Sequence, residues 1–520
     1  MLIRAGLLLA AAIDSTTLAG RVVGPDGGPL VGAVVAGSPV GGSLRYGTTT
    51  GLDGRFRLIV APAVRFRIAV LERGTERVVD TVAAGDPLML RVPALDSSAL
   101  LRTSSEWLDL LPEGPAKRWF ILDCTGCHQL NETRALRGGK IRTADEWATD
   151  ATRMIKMFGP ESGFPIIAAH EDPAQLGAWI NRYVAAARGV PRLLPSAEPS
   201  ETRYQITEYD LPGQDLPHDI AVDSAGRIVI TGMFTHRLLQ LDPGSGATTE
   251  ISIPIDRANP RAIEVDARGR WWVLLGQAES VGRYDPATRQ WAFAPVAMYG
   301  HSIGLDRAGN AWTNFHFAND SIRLARVSER GGQLSTEEFR GPPAPGGARG
   351  PSPIPYELRI APTGKVWVST LHGGQLVGFD PGTKRFETVS LPEPDAGPRR
   401  FDIDGQGVLW VPGYSSSKLY RYDPSTGRFA TYPLPASSAL PYVARVHPKT
   451  GDIWIGTAAG DVVYRFDPNR KAFSRYPVLT RGATMRHLAI DPRSGDVWVA
   501  YGASPALHPT RVARIHVDTR

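Results

Sequence analysis

Two spacings of apolar residues divide this chain into regions. From residue 204 to 520, runs such as RAIEVDARGRWWVLL and HSIGLDRAGNAWTNF alternate apolar and polar positions, break at Asp-x-x-Gly, and recur at a period of roughly forty residues. Seven copies align, beginning at His218, Arg261, His301, Tyr356, Arg399, Tyr442 and Arg486. Each runs on through segments such as LVGFDPGTKRFETVSLP, which supply two more strands about an Asp-Pro turn. Four short strands per copy predict a blade, and seven blades predict a closed ring, a seven-bladed β-propeller with no long exposed edge.

Upstream the pattern changes twice. Residues 17–95 pair short apolar runs across Gly-Pro-Asp-Gly and Asp-Gly turns, as in LAGRVVGPDGGPLVGAVVAG and TTTGLDGRFRLIV, and predict a small β-sandwich. Residues 100–192 turn to helical spacing. Thr143 stands three residues before Glu146 as a capping box, and the apolar face continues through Trp147, Ala151, Met154 and Phe158. A second helix has Asp172 as its N-cap, Pro173 at its first position and Gly189 as its stop. A third is expected to run from Ala116 into and through residues 124–128. Three helices make a very small core, which something else must fill. Residues 193–203 are a Pro/Ser linker. Residues 1–16, with Arg4 ahead of the apolar stretch Ala5 to Ile13, read as a signal peptide or else as the first strand of a cytoplasmic protein. No stretch approaches the roughly twenty apolar residues that span a bilayer. The expected fold is multidomain and mainly β: a small sandwich, a small all-α domain and the propeller.

Composition changes this picture little. With 520 residues, 42% hydrophobic and 21% charged, the chain suits several packed domains, and its 55 glycines and 43 prolines suit strands and turns. The net charge of +6 is spread out, without the dense Lys/Arg runs of nucleic-acid binders. The basic excess is a solvated surface or a docking face for an acidic redox partner.

The chemistry is concentrated in CTGCH, where Cys124 and Cys127 are the only two cysteines and His128 follows directly. Two thiols at this spacing can form thioethers to the two vinyl groups of one haem while the imidazole ligates its iron. A structural zinc site wants four ligands, and a thioredoxin-like pair wants a preceding strand and a βαβ setting. The region resembles a small class I cytochrome c domain. That resemblance implies covalent haem c, assembly outside the cytoplasmic membrane, and a sixth ligand downstream. Met154 in EWATDATRM is the favoured candidate, with Met157 and His170 as alternatives.

Two further resemblances frame it. The order carried by Gly20, Val22, Pro29, Leu30, Gly32, Ala33, Val35, Thr50, Asp53, Gly54, Phe56 and Leu58 resembles the carboxypeptidase regulatory-like domain, a transthyretin-like sandwich, and implies presentation or spacing rather than catalysis. The blades resemble the virginiamycin B (streptogramin) lyase family, which opens a cyclic depsipeptide lactone by elimination with His, Glu and magnesium from the last two blades. Here those positions fall on Tyr442, Arg486 and Thr484, with the last near Gly502, so the family's catalytic set is not retained. His487 is adjacent to Arg486 but out of register, where a strand side chain points the other way.

The first residues of the seven copies, His218, Arg261, His301, Tyr356, Arg399, Tyr442 and Arg486, are expected to face the propeller axis. They suit an anionic ligand, unless the arginines pair with Glu357, Asp402 and similar neighbours. His218 and His301, with His316 or His372, are candidates for a second metal or quinone site. The sequence thus reads as an exported, periplasmic monohaem cytochrome that transfers electrons to or from a partner protein, with the propeller as platform. The alternatives are a redox enzyme with a second cofactor in the propeller, or a C–O lyase with relocated residues.

Overall fold

A computed structural model describes residues 15–72, 75–85, 87–94, 102–186, 204–213, 215–318, 321–343, 353–503 and 507–518. Residues 1–14 of the stretch 1–16 expected as a signal peptide, Gly189 and the linker 193–203 lie outside the described residues, while Thr16 opens the strand Thr16–Val23. The molecule is mainly β, with a propeller-like ring of sheets.

Six blades are separate four-stranded antiparallel sheets. The pattern that builds them is local. Asp223, Asp266, Asp306 and Asp404 each accept backbone N–H groups two and four residues on, closing a turn whose Gly226, Gly269, Gly309 or Gly407 has positive φ. In three of these the second carboxylate oxygen also accepts from an indole six residues on, Trp272, Trp312 or Trp410. The Asp-x-x-Gly-x-x-Trp spacing therefore locks each turn to the sheet. The second strands, such as Trp271–Leu275 and Ile453–Thr457, are wholly buried, whereas outer strands such as Arg385–Ser390 are half exposed. This gradient puts buried functional groups near the axis.

Ring closure differs from what the linear boundaries suggest. The strand Tyr204–Asp210 pairs antiparallel with Leu507–Val517, supplying the outer strand of the seventh blade. Its other edge pairs with Leu44–Thr49 of the N-terminal unit, so one eight-stranded sheet runs through both. Glu208 on that strand is fully buried. It accepts from the Leu479 N–H, the Tyr501 hydroxyl and Arg45. The N-terminal unit has a second sheet of three strands, and the two enclose Val22, Val35, Phe56, Leu58, Phe66 and Ile68. It is a sandwich, welded to the propeller rather than hung from it.

Between these β units the described residues form five helices: α1 (Ser104–Leu108), α2 (Pro115–Cys124), α3 (Glu132–Ala135), α4 (Ala144–Phe158) and α5 (Pro173–Ala185). The Thr143/Glu146 capping box and the Asp172 cap with Pro173 are formed. Helices α4 and α5 approach so closely that a Cβ on Gly177 would collide with the Ala144 carbonyl. The small helical core is completed by the propeller: Trp107, Phe120, Ile121, Trp147 and Ile180 share one cluster with Tyr356, Leu371, Tyr414, Leu440 and Tyr442. The helical segment therefore shares its core with the propeller. Among the described residues no helix is long and apolar enough to cross a membrane.

Candidate functional site

The helix expected to continue through the cysteine motif stops at Cys124. The Thr125 hydroxyl donates to the Ile121 carbonyl at 2.7 Å and closes its end. The next carbonyls turn to the propeller instead of to helical amides. The Tyr414 hydroxyl donates to Thr125 O at 2.9 Å, and Arg486 Nη2 donates to Gly126 O and Cys127 O at 3.3 Å each. Gln129 Nε2 reaches Thr484 Oγ1 at 3.1 Å. Gly126 fits because a Cβ there would stand 3.1 Å from Arg399 Nη2. Residues 125–129 are thereby seated over the end of the propeller axis.

A cavity of about 1220 Å³ opens beside this loop, between the helices and the propeller. Its helical wall includes Cys124, Cys127, His128, Met154 and Met157; its propeller wall includes Arg261, Tyr299, His316, Tyr356, Arg399 and Arg486. The two cysteines are not joined in a disulfide. Burial pushes both thiols up, and it pushes the His128 imidazole down to about 4, helped by Arg134. His128 is therefore neutral at pH 7, and its Nδ1 is buried without a hydrogen-bond partner. Met154 is half-buried and Met157 is 52% exposed, though both border the cavity. His170 does not border it: the ring stacks on Trp119, and Nδ1 lies 3.0 Å from Asp123 Oδ2.

The seven axial residues are all buried, none more than 7% exposed. They meet one another across the axis. His218 packs against His301, His301 against Tyr356, and the hydroxyls of Tyr356 and Tyr442 are hydrogen-bonded. Arg399 Nη1 donates to Tyr356 Oη at 2.8 Å and Arg486 Nη1 to Tyr442 Oη at 3.0 Å. The Arg399 guanidinium also lies over the rings of Tyr414, Tyr442 and Tyr356. Burial alone would raise the Tyr442 phenol, but Arg486, Arg399 and Arg400 pull it down to about 7.

The pairing expected between the axial arginines and Glu357 or Asp402 does not occur. Among the described residues, Arg261, Arg399 and Arg486 have no carboxylate within ion-pair distance. Glu357 pairs instead with Arg359, Arg400 and Arg445, and Asp402 approaches Arg359. These belong to a second layer, one residue (Glu357, Arg400) or three residues (Arg359, Asp402, Arg445) past the axial positions, where Asp219 also binds Arg400 and faces His487. His487 is thus out of the axial register, as expected, but it is engaged with Arg445 Nη2 at 2.8 Å. The sequence reading missed this layer. Its signal was the ionisable side chains of Asp219, Glu357, Arg400 and His487, each directly after an axial residue. The innermost strands are irregular at these positions, as between Met485 and His487, so simple alternation does not place the side chains.

The histidines proposed for a second metal are separately engaged. His218 Nδ1 contacts Asp219 and Arg261 O, His301 Nδ1 contacts Tyr356 O, His316 Nδ1 contacts Pro355 O, and His372 Nε2 contacts Ile166 O. No group of three or more His, Cys, Asp or Glu among the described residues stands close enough to hold a metal ion.

No protein-family model matches the chain and no curated relative matches it in sequence. Solved structures do resemble it. A streptogramin B lyase structure aligns with 61% of this chain and 98% of its own, at 18% identity and a TM-score of 0.52. Virginiamycin B lyase from Staphylococcus aureus covers 60% of this chain and 99% of its own at 17% identity, with a TM-score of 0.51. A catalytically inactive form of that enzyme with quinupristin gives 0.52 at the same identity and coverage. At these identities the likeness establishes the fold alone: the chain carries a β-propeller of the virginiamycin B lyase type.

Proposed function

We propose that this chain is a monohaem c-type protein that transfers electrons, with its haem held between the helices and the propeller. Cys124 and Cys127 would carry the thioethers, and His128 would be the proximal iron ligand. Met154 would be the distal one, with Met157 as the alternative; His170, held by Trp119 and Asp123 outside the cavity, is less suited. The bound haem would supply one-electron redox chemistry, its potential raised by thioether ligation.

The observation that carries this reading is the cavity. One space of about 1220 Å³ is bordered by both thiols, the histidine and both methionines, beyond the roughly 300–1,000 Å³ of an ordinary small-molecule pocket. The donor set fits the group: His128 is kept neutral, as metal ligation requires, and among the described residues its Nδ1 has no hydrogen-bond partner. Phe120, Trp147 and Ile180 on the helical side exclude water. Covalent haem of this type, with the leader sequence, supports an exported, periplasmic location. The N-terminal sandwich would be a carboxypeptidase regulatory-like module that fixes the last blade, and an unidentified redox protein would be the partner.

Lyase action is disfavoured by a specific contact. Tyr442, Arg486 and Thr484 stand where the family has catalytic groups, and residues 125–129 cover them.

The test is a reduced pyridine haemochrome spectrum on protein made with a c-type maturation system, followed by acid–acetone extraction. An α-band typical of two thioethers and colour retained in the protein are expected; colourless, iron-free protein would refute the reading. Met154→Ala, but not Met157→Ala, should abolish the sulfur-to-iron charge-transfer band.

A further inference from the structure

We propose that the propeller wall of this cavity is an anion-binding subsite, in which Arg261, Arg399 and Arg486 receive the carboxylate or oxyanion group of a small diffusible ligand. The subsite belongs to the cavity itself and does not require the haem.

Three guanidinium groups, each at least nine-tenths buried, border one space. Isolated charge in a protein interior is expensive unless it is paired. One layer deeper the rule is obeyed: Arg359, Arg400 and Arg445 all reach Asp219, Glu264, Glu357 or Asp402. In the cavity wall it is not. Arg261 has only the Met233 sulfur and the Tyr299 ring, Arg399 has tyrosine hydroxyls and faces, and Arg486 has one phenol and two backbone carbonyls. The Nε atoms of all three are buried without a hydrogen-bond partner, as are those of Arg359 and Arg400, so the difference between the layers lies in the carboxylates and not in Nε. Of the four acidic side chains that border the cavity, Asp123 is committed to His170 and Asp150 to Arg142 and Arg153, while Glu171 and Glu279 form no ion pair with the three arginines. The neighbouring His316 is pushed down to about 3 by burial and by Arg261, so it adds no charge. What the wall lacks is a compact anion with several acceptor oxygens, the partner for which guanidinium forks are suited.

Haem propionates are a second source of carboxylate, and the geometry disfavours them for two of the three arginines. Arg486 binds the carbonyls of Gly126 and Cys127, and Arg399 approaches Gly126. Both therefore stand beside the cysteine loop. On the porphyrin skeleton the propionates project from the edge opposite the vinyl-derived thioethers.

The experiment is calorimetric titration of the full-length protein, haem-loaded and haem-free, with sodium acetate and with sodium sulfate at constant ionic strength. The expected result is one saturable site in both forms, with affinity at least tenfold weaker in Arg399→Gln and Arg486→Gln and partly kept in Arg486→Lys. Binding to the haem-free form alone would assign the arginines to the propionates and overturn the proposal. So would binding undiminished in folded variants. A wild-type measurement covers variants that fail to fold. Tyr442 is faced by Arg486, Arg399, Arg400, Tyr356 and Tyr414, and an anion seated on Arg399 and Arg486 would weaken their hold on its phenolate. In haem-free protein, sulfate should move the tyrosinate absorbance titration to higher pH; an unmoved titration overturns the proposal.

Discussion

Gly126→Ala probes whether the cysteine loop is shaped by the propeller. The added Cβ would stand 3.1 Å from Arg399 Nη2, a few tenths of an ångström too close. Backbone strain does not enter, since Gly126 is not among the positive-φ residues. Arg399 cannot yield cheaply, because its guanidinium is caged by Tyr356, Tyr414 and Tyr442 and tied to the Tyr356 hydroxyl. Overpacking of this kind costs about 1–3 kcal/mol. A chain of this length does not unfold in one step, so the reading should be local. Hydrogen exchange of peptides spanning residues 117–130 should quicken by roughly 5- to 150-fold, at about 1.4 kcal/mol per tenfold. Peptides of the second and third blades serve as the control. In an Arg399→Met background the same substitution should cost little. Unchanged exchange in the single variant, or an equal increase in both backgrounds, would refute the reasoning.

Other consequences follow from named groups. Tyr414→Phe keeps the ring under Arg399 but leaves the buried Thr125 carbonyl without its donor, about 1–3 kcal/mol; limited proteolysis should cut the helical segment sooner. Glu208→Ala removes the carboxylate that joins Arg45, Leu479 and Tyr501, a loss of about 3–5 kcal/mol; scanning calorimetry should show the transition containing the last blade at lower temperature. Tyr442 should ionise below the ordinary phenol range in low-salt zwitterionic buffer, seen as phenolate absorbance at lower pH than in Arg486→Met. Because its folded value lies below the ordinary 10.0, the phenolate stabilises the fold increasingly as pH rises from that lowered value towards 10, and that contribution is lost as pH falls through the lowered value.

Much of the architecture was legible because it is local. Asp306, Gly309 and Trp312 lie within seven residues and close a turn by contacts among themselves and their neighbours, so the repeat declares itself without knowledge of the rest. The caps at Thr143 and Asp172 are local in the same way. The seven axial positions could be read from alignment alone, since equivalent residues of a closed ring must face a common centre.

What tertiary structure decided is everything that joins residues far apart in the chain. The helix ends at Cys124 rather than running through His128 because Tyr414 and Arg486, some 290 and 360 residues on, take the carbonyls of Thr125, Gly126 and Cys127. The N-terminal sandwich and the last blade became one sheet because the closing strand Tyr204–Asp210 has two edges to satisfy. Which side chains line the cavity and which the deeper layer depended in part on irregularities beside Tyr356, Tyr442 and Arg486 that shift register, a difference that no periodicity records. Sequence determined the elements and the chemistry each carries, because turn bonds and spacing act over a few residues. Folding determined which of those groups share a space, because burial and charge pairing act across the whole ring.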